Sequence, residues 1–377
     1  MLKRAILIII LVLGAAYALS LNFAVEPPKP PRSDLSKPPE TSPSPSVPKA
    51  ANPMGTPKQQ VKQHSPIELI FAGDTMMDGS LRDAIRKRGA LDPFRQVKEE
   101  ITRADWAVAN LETSVTTATR KDPNQRYNFK SDPSSLKGLK EAGFDMVSLA
   151  NNHVLDYGIS GLKDTLRYVK SHGLHAAGAG MNEQDAFQAA TVTLHGQVVK
   201  VAAFTRFMPV LNWNASGDQP GVAGAYDQEK VLQAIRKQSQ DADYLIVYIH
   251  WGVEKSNHPE PWQKQFARDM IDAGADAVIG SHPHVLQGFE YYRSAPIAYS
   301  IGNFLFPDYV KDDTANTGLL KLSLQTGSIR MSFHPLYIRD NRIIHRGNVY
   351  EKEQLLYLKS LSPQVSWKSN LIVPKKR

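Results

Sequence analysis

The sequence predicts a layered α/β domain, and three observations lead there. From Ile67 onward, short apolar runs rich in β-prone residues alternate with helical stretches. Residues 318–325 and 328–334 read as a hairpin around Thr326-Gly327, so the alternating region closes on antiparallel strands. Five of the apolar runs end in a polar cluster: Gly73-Asp74-Thr75-Met76, Asn110-Leu111-Glu112, Asn151-Asn152-His153, His250-Trp251-Gly252 and Gly280-Ser281-His282-Pro283-His284. Strands that repeatedly end in Asp, Glu, Asn or His are building one shared polar site, since ligands gather at the carboxyl ends of strands in open α/β sheets.

The elements follow in chain order. Lys3 and Arg4 precede an apolar run from Ala5 to about Leu21. A positive region before an apolar stretch of this length is an export signal. Residues 1–25 read as an uncleaved signal anchor, a single membrane pass with the body outside the cytoplasm. Cleavage after Ala16-Tyr17-Ala18 is the alternative, and it would give a secreted protein. Residues 26–66 hold 12 of the 25 prolines, so they form an extended linker with too little apolar surface to offset its ordering entropy.

In the body, Ile67–Ala72, Trp106–Asn110, Asp145–Ala150, Val198–Phe204, Tyr244–His250, Ala277–Ile279 and Ile297–Ile301 read as buried strands. Helical stretches lie between several of them, at Ser80–Arg88, Ser134–Ala142, Gly161–His172, Gln228–Gln238 and Pro261–Ala273. The domain spans 67–346, and 347–377 supply a helix over Glu351–Leu361 and a basic tail from Pro374.

Composition excludes several functions. The chain of 377 residues has no cysteine, so disulfides and thiolate metal sites are ruled out and any metal uses oxygen and nitrogen ligands. The net charge of +8 divides as +5 in residues 1–66 and +4 in 351–377, leaving −1 in the body. The basic excess thus sits on the flanks, where it suits a membrane surface or an anionic polymer, and no nucleic-acid module signature is present.

The clusters supply carboxylate, amide and imidazole groups, the ligand types that hold a divalent transition metal and activate a water on it. Asp74 follows a strand and a glycine. Asn110 and Glu112 share one face of an extended segment. Asn152 is an oxygen ligand, and His153 beside it is placed to donate a proton, with Asp156 three residues on to orient the imidazole or cap the next helix. His250 ends the most hydrophobic strand, and Glu254 lies near it as a supporting group. Pro283 biases His282 towards an extended backbone, which would aim His282 and His284 to the same side. Asn303, after Gly302, is a further hydrogen-bonding candidate.

In this order the clusters, with Gly302-Asn303-Phe304, resemble the CapA-type poly-γ-glutamate capsule biosynthesis proteins, within the calcineurin-like metallophosphoesterase superfamily. The resemblance runs from about Ile67 to Pro307. It implies a four-layer αββα sandwich around one or two divalent ions (Mn, Fe or Zn). By motif, Asp74, Glu112, Asn152, His250, His282 and His284 are implied as metal ligands, Glu112 in the bridging position, with His153 assisting the leaving group. The superfamily's first motif is Asp-x-His, and here Met76 occupies the histidine position; a thioether is a poor ligand for such ions. The implied role is capsule biosynthesis or export at the membrane, with poly-γ-glutamate and other synthase subunits as partners. The alternatives are a stand-alone extracytoplasmic hydrolase and a non-catalytic assembly component.

Overall fold

A computed structural model describes residues 65–123 and 125–375. The expected anchor at 1–25, and all but the last two residues of the expected linker, lie outside that range. Among the described residues no helix is long and apolar enough to cross a membrane.

The fold is mixed α/β, organised around two large sheets. In the first, the strands run in the order Val365–Lys368, Leu371–Pro374, Ser328–Arg339, Asn316–Gln325, Ile67–Thr75, Trp106–Leu111, Met146–Ser148 and His175–Ala177. Its last four strands are parallel, and Asn316–Gln325 pairs antiparallel with Ile67–Thr75. In the second, Gln197–Thr205, Tyr244–His250, Ala277–Ser281 and Ala295–Ala298 are parallel, flanked by antiparallel Ala190–Leu194 and Phe289–Tyr292.

Side-chain alternation along the strands separates the core into layers. Leu69, Phe71, Trp106 and Val108 of the first sheet pack with Val201, Ile246, Tyr248 and Ile279 of the second. The intervening residues Ile70, Ala72, Ala107 and Ala109 instead meet Leu81, Ile85, Leu139 and Leu162 from the helices Gly79–Arg88, Leu136–Ala142 and Gly158–Ser171. On the far side, Phe204, Val247 and Val278 meet Val231, Ile235, Phe266 and Met270 of the helices Gln228–Ser239 and Pro261–Asp272. The Tyr248 hydroxyl donates to the Ala72 carbonyl at 3.0 Å and ties the sheets together inside this core.

Two expectations change. The strand expected over 297–301 is shorter, Ala295–Ala298, and the chain resumes as Asn303–Leu305 beside the first sheet; Gly302, at φ +67°, makes the crossing. The C-terminal segment expected as a helix with a basic tail is a helix, Asn348–Leu361, followed by the hairpin Val365–Lys368 and Leu371–Pro374. That hairpin extends the first sheet through Met331 and Ser332.

Candidate metal centre

The strands of both sheets deliver polar side chains into the gap between them. On Trp106–Leu111 the inward face carries Trp106 and Val108, and the same alternation turns Asn110 and then Glu112 inward. On the second sheet, Ile246 and Tyr248 set the inward face that His250 continues, and Ala277 and Ile279 set that of Ser281. Asp74 requires an added device. With Leu69 and Phe71 inward and Ile70 and Ala72 outward, an unbroken strand would turn Asp74 outward. Pairing instead slips between Ala72, opposite Ala109, and Asp74, opposite Asn110. Gly73 is the extra residue of this bulge, and it re-aims the carboxylate. A Cβ on Gly73 would lie 1.9 Å from the Gly302 carbonyl oxygen, the atom that accepts from the Asp74 N–H at 3.0 Å.

Donor atoms converge around His250. Its Nε2 lies 2.8 Å from Asn152 Oδ1, 3.0 Å from His282 Nδ1 and 3.6 Å from Glu112 Oε1. Two ligands about 2.1 Å from one tetrahedral ion stand roughly 3.4 Å apart, so these spacings suit a shared cation. The other ring nitrogen, Nδ1, lies 3.1 Å from Ser281 Oγ, 3.2 Å from the Asn110 amide nitrogen and 3.7 Å from Asp74 Oδ1. A proton placed there leaves the Nε2 lone pair facing the cluster. Asp74 lies beside this group, accepting from Asn110 Nδ2 at 2.8 Å and from the His282 N–H at 3.0 Å. His284 Nδ1 is 3.4 Å from Asp74 Oδ2 and 2.9 Å from Asn303 Oδ1, and its Nε2 is 3.9 Å from Glu112 Oε1.

The donor set fits a cation on a second ground. Both Glu112 carboxylate oxygens and His282 Nε2 are buried without a hydrogen-bond partner. One donor atom each from Glu112, His282 and His284 lies within 4.8 Å of the others. Leaving the two carboxylate oxygens unsatisfied costs on the order of 1–3 kcal/mol each, which a divalent ion would offset.

Burial shapes the charges. It pushes the Glu112 carboxyl well above the usual range, and the neighbouring Asp74 charge adds to this. Burial acts on Asp74 in the same direction, but His250 and His284 outweigh it and hold that carboxyl well below. Burial lowers His250 and, more strongly, His282, keeping both rings neutral and able to ligate. His284 is the exception: burial opposes its charge, yet Glu112 and Asp74 raise it to about 10.

At the edge of the centre, His153 Nδ1 lies 2.9 Å from Asp156 Oδ2, and Nε2 lies 3.1 Å from the Asn152 amide nitrogen. Asp156 is fully buried, accepts from the Phe129 N–H at 2.7 Å, and has its carboxyl raised by that burial. Asn151 braces the turn, donating to Asn110 Oδ1 and to the Leu111 carbonyl while its Oδ1 accepts from the N–H groups of His153 and Val154.

The sequence pattern of the family described as bacterial capsule synthesis protein PGA_cap matches residues 68–308. The chain belongs to this family. The capsule biosynthesis protein CapA of Bacillus anthracis is 32% identical over 287 residues, 74% of this chain and 69% of that protein. The PGA biosynthesis protein CapA of Bacillus subtilis is 33% identical over 288 residues, 76% of this chain and 75% of that protein. Among solved structures, a hypothetical protein from Thermus thermophilus aligns with a TM-score of 0.41 at 17% identity, over 74% of this chain and 96% of that one.

In this member of the PGA_cap family the structure brings together Asp74, Asn110, Glu112, Asn152, His153, Asp156, His250, His282, His284 and Asn303. Glu254 is the outlier. It is exposed, and among the described residues it acts on Glu112 only through its charge. The backbone expectation for His282 and His284 is also corrected. Neither is extended: they sit at φ +98° and +58°, so a left-handed turn and not strand alternation aims the two rings. Met76 is not among the converging donors: it packs with Phe306, Ala315 and Ile338 and lies 3.7 Å from the Tyr309 hydroxyl. Asn151 and Ser281 join the site without having been singled out by sequence, although both lie inside the quoted clusters. Gln125 and Phe129 carry no sequence signal at all, since they reach Asp156 from a loop without a motif.

Proposed function

We propose that this chain serves the synthesis or export of a bacterial poly-γ-glutamate capsule, and that its biochemical core is a divalent-cation centre with phosphoesterase-like hydrolytic chemistry. The observation that carries the second part is the partnerless Glu112 carboxylate within the four-donor cluster around His250 Nε2. Three apolar layers separating helices, sheet, sheet and helices support reading the fold as the four-layer sandwich of the calcineurin-like metallophosphoesterases.

Glu112, Asn152, His250 and His282 would hold one ion. Asp74 and His284, sharing Glu112, would hold a second, one ligand short because Met76 is not among the donors. Two imidazoles, an amide and a carboxylate suit Zn, Mn or Fe. When bound, such an ion supplies Lewis acidity, polarising a phosphoryl or acyl oxygen and acidifying a water. The protein's own part is proton delivery. Asp156 fixes the His153 ring through Nδ1, and Nε2, at the rim of the centre, faces the Asn152 amide N–H as an acceptor; it would take up a proton before passing one to a leaving group. The lack of a donor at Met76 favours one competing reading, an assembly subunit whose centre is structural. The anchor, the extracytoplasmic body and contacts with other synthase subunits belong to the same proposal, with the basic flanks guiding the anionic polymer.

The test is complementation in a capsule-forming host lacking its own copy, comparing full-length chain with Glu112→Gln and His153→Ala, with protein level and bound metal measured alongside. Loss of polymer with stable protein in both supports hydrolysis. Normal polymer from a metal-free Glu112→Gln chain removes the catalytic reading and leaves assembly.

A further inference from the structure

A second imidazole–carboxylate cluster lies on the outer face of the first sheet, sharing no residue with the centre between the sheets. His334 projects from Ser328–Arg339, His345 follows the strand Arg342–Ile344, and Glu351 lies in the first turn of the helix Asn348–Leu361. One donor atom from each lies within 4.8 Å of the others. We propose that these three side chains form a peripheral site for a divalent transition cation of the zinc type, pinning the C-terminal helix to the sheet.

The hydrogen bonds around the rings carry the argument. His334 Nδ1 lies 2.6 Å from Glu100 Oε2, a charge-assisted contact that places the proton on Nδ1. Nε2 lies 3.7 Å from Glu351 Oε1, too far for a hydrogen bond and close to the roughly 3.4 Å between two ligands of one ion; Glu100 and Glu351 together favour the protonated ring, so a cation would enter by displacing the Nε2 proton. His345 is oriented in the same way: Nε2 lies 3.3 Å from the Gln96 carbonyl, and the His345 N–H donates to Gln96 Oε1 at 3.0 Å. Its Nδ1 keeps its lone pair. Each ligating ring thus has its other nitrogen engaged by an oxygen acceptor, the arrangement that fixes tautomers in metal sites. The cations around the cleft are engaged elsewhere: Arg346 stacks on Tyr337 and Tyr350 at 4.4 and 4.7 Å, Lys321 pairs with Glu68 at 3.0 Å and Arg103 pairs with Glu99. His334, Glu100 and Glu351 also border a surface cleft of about 500 Å³, so the site is open to solvent and an ion can enter. Two imidazoles and one carboxylate with an open position suit Zn²⁺.

The experiment is Zn²⁺ titration of the metal-stripped full-length chain, followed by calorimetry and thermal melting. His345 is exposed, so His345→Ala leaves the core untouched. We expect the unsubstituted chain to bind one more ion than His345→Ala, and Glu351→Gln to weaken that ion at least tenfold. In a His282→Ala background, which disables the buried centre, Zn²⁺ should still raise the melting temperature, and adding His345→Ala should abolish that rise. Equal stoichiometry and affinity in the unsubstituted, His345→Ala and Glu351→Gln chains would overturn the proposal, whatever becomes of the buried centre.

Discussion

His250 Nε2 and Asn152 Oδ1 face each other at 2.8 Å across the gap between the two sheets. The imidazole ends a strand of the second sheet and the amide follows a strand of the first, so their approach registers how well the sheets are aligned. Either side chain should be indispensable to cation retention. We expect Asn152→Ala and His250→Ala each to lower the affinity of the buried ion at least about tenfold, read by metal analysis after dialysis against a graded chelator. Full retention in both variants would place the ion elsewhere.

Proton linkage gives a signed prediction for the metal-free chain. Glu112 and His284 both bind protons more tightly when folded than when unfolded. The stability His284 contributes is therefore complete below its unfolded value, about 6.5, and is lost as pH rises through its folded value of about 10. Glu112 acts in the same sense from lower pH. The melting temperature of metal-free protein should fall between pH 6.5 and 10, while cation affinity rises by up to about tenfold per pH unit for each proton displaced. A melting temperature that climbs across this window would contradict the assignment.

Asp156→Asn keeps the size of the side chain and removes the charge that holds His153 Nδ1. If His153 is the proton donor, turnover of a chromogenic phosphoester should drop about tenfold or more with little change in KM. Equal losses in KM and protein stability would indicate a packing role instead.

Gly73→Ala tests the bulge. The added methyl would meet the Gly302 carbonyl at 1.9 Å, and neither backbone can yield without breaking the Asp74–Gly302 hydrogen bond. A destabilisation of about 2 kcal/mol or more is expected from overpacking, measured by urea unfolding, with metal loss alongside. A neutral result would show the two backbones free to separate.

Asp92 offers a prediction outside the buried centre. It accepts from Arg88 at 2.7 Å and from Arg342 at 2.9 and 3.0 Å, with its side chain 8% exposed. Burial would raise its carboxyl, yet the hydrogen bonds and charges of Arg342 and Arg88 hold it below the ordinary range. A depressed carboxyl contributes stability above its unfolded value, about 3.9, that is lost as pH falls through the folded one. Asp92→Asn should therefore cost about 1–3 kcal/mol at pH 7, discounted towards the lower figure because both arginines are partly exposed. The deficit should close as pH falls through the folded value of Asp92.

The sequence displays the centre because strand alternation and strand ends are local properties. Asn110 and Glu112 share a face, and His250 closes an apolar run, whatever the rest of the chain does. The Gly73 bulge is not local: it depends on Gly302, more than two hundred residues away, so alternation alone would misplace Asp74. The turn at His282-Pro283-His284 reads as extended because proline biases its predecessor that way, and tertiary contacts override the bias. The hairpin at 365–374 is hidden in the sequence because Leu371–Pro374 ends in proline, which argues against an interior strand, yet it lies between Val365–Lys368 and Ser328–Arg339. His334, His345 and Glu351 form no spacing motif; the first and last meet because a strand and a helix cross there.

The buried donors enter the chain at positions 74, 112, 152, 250, 282 and 284, and Asn303, which steadies His284, comes later still. No shorter nascent fragment carries the complete set. A complete donor set is therefore present only once most of the polypeptide has left the ribosome. Loading is thus a late event in the life of each molecule, and a stalled or clipped chain would be recognisable by its lack of tightly held metal.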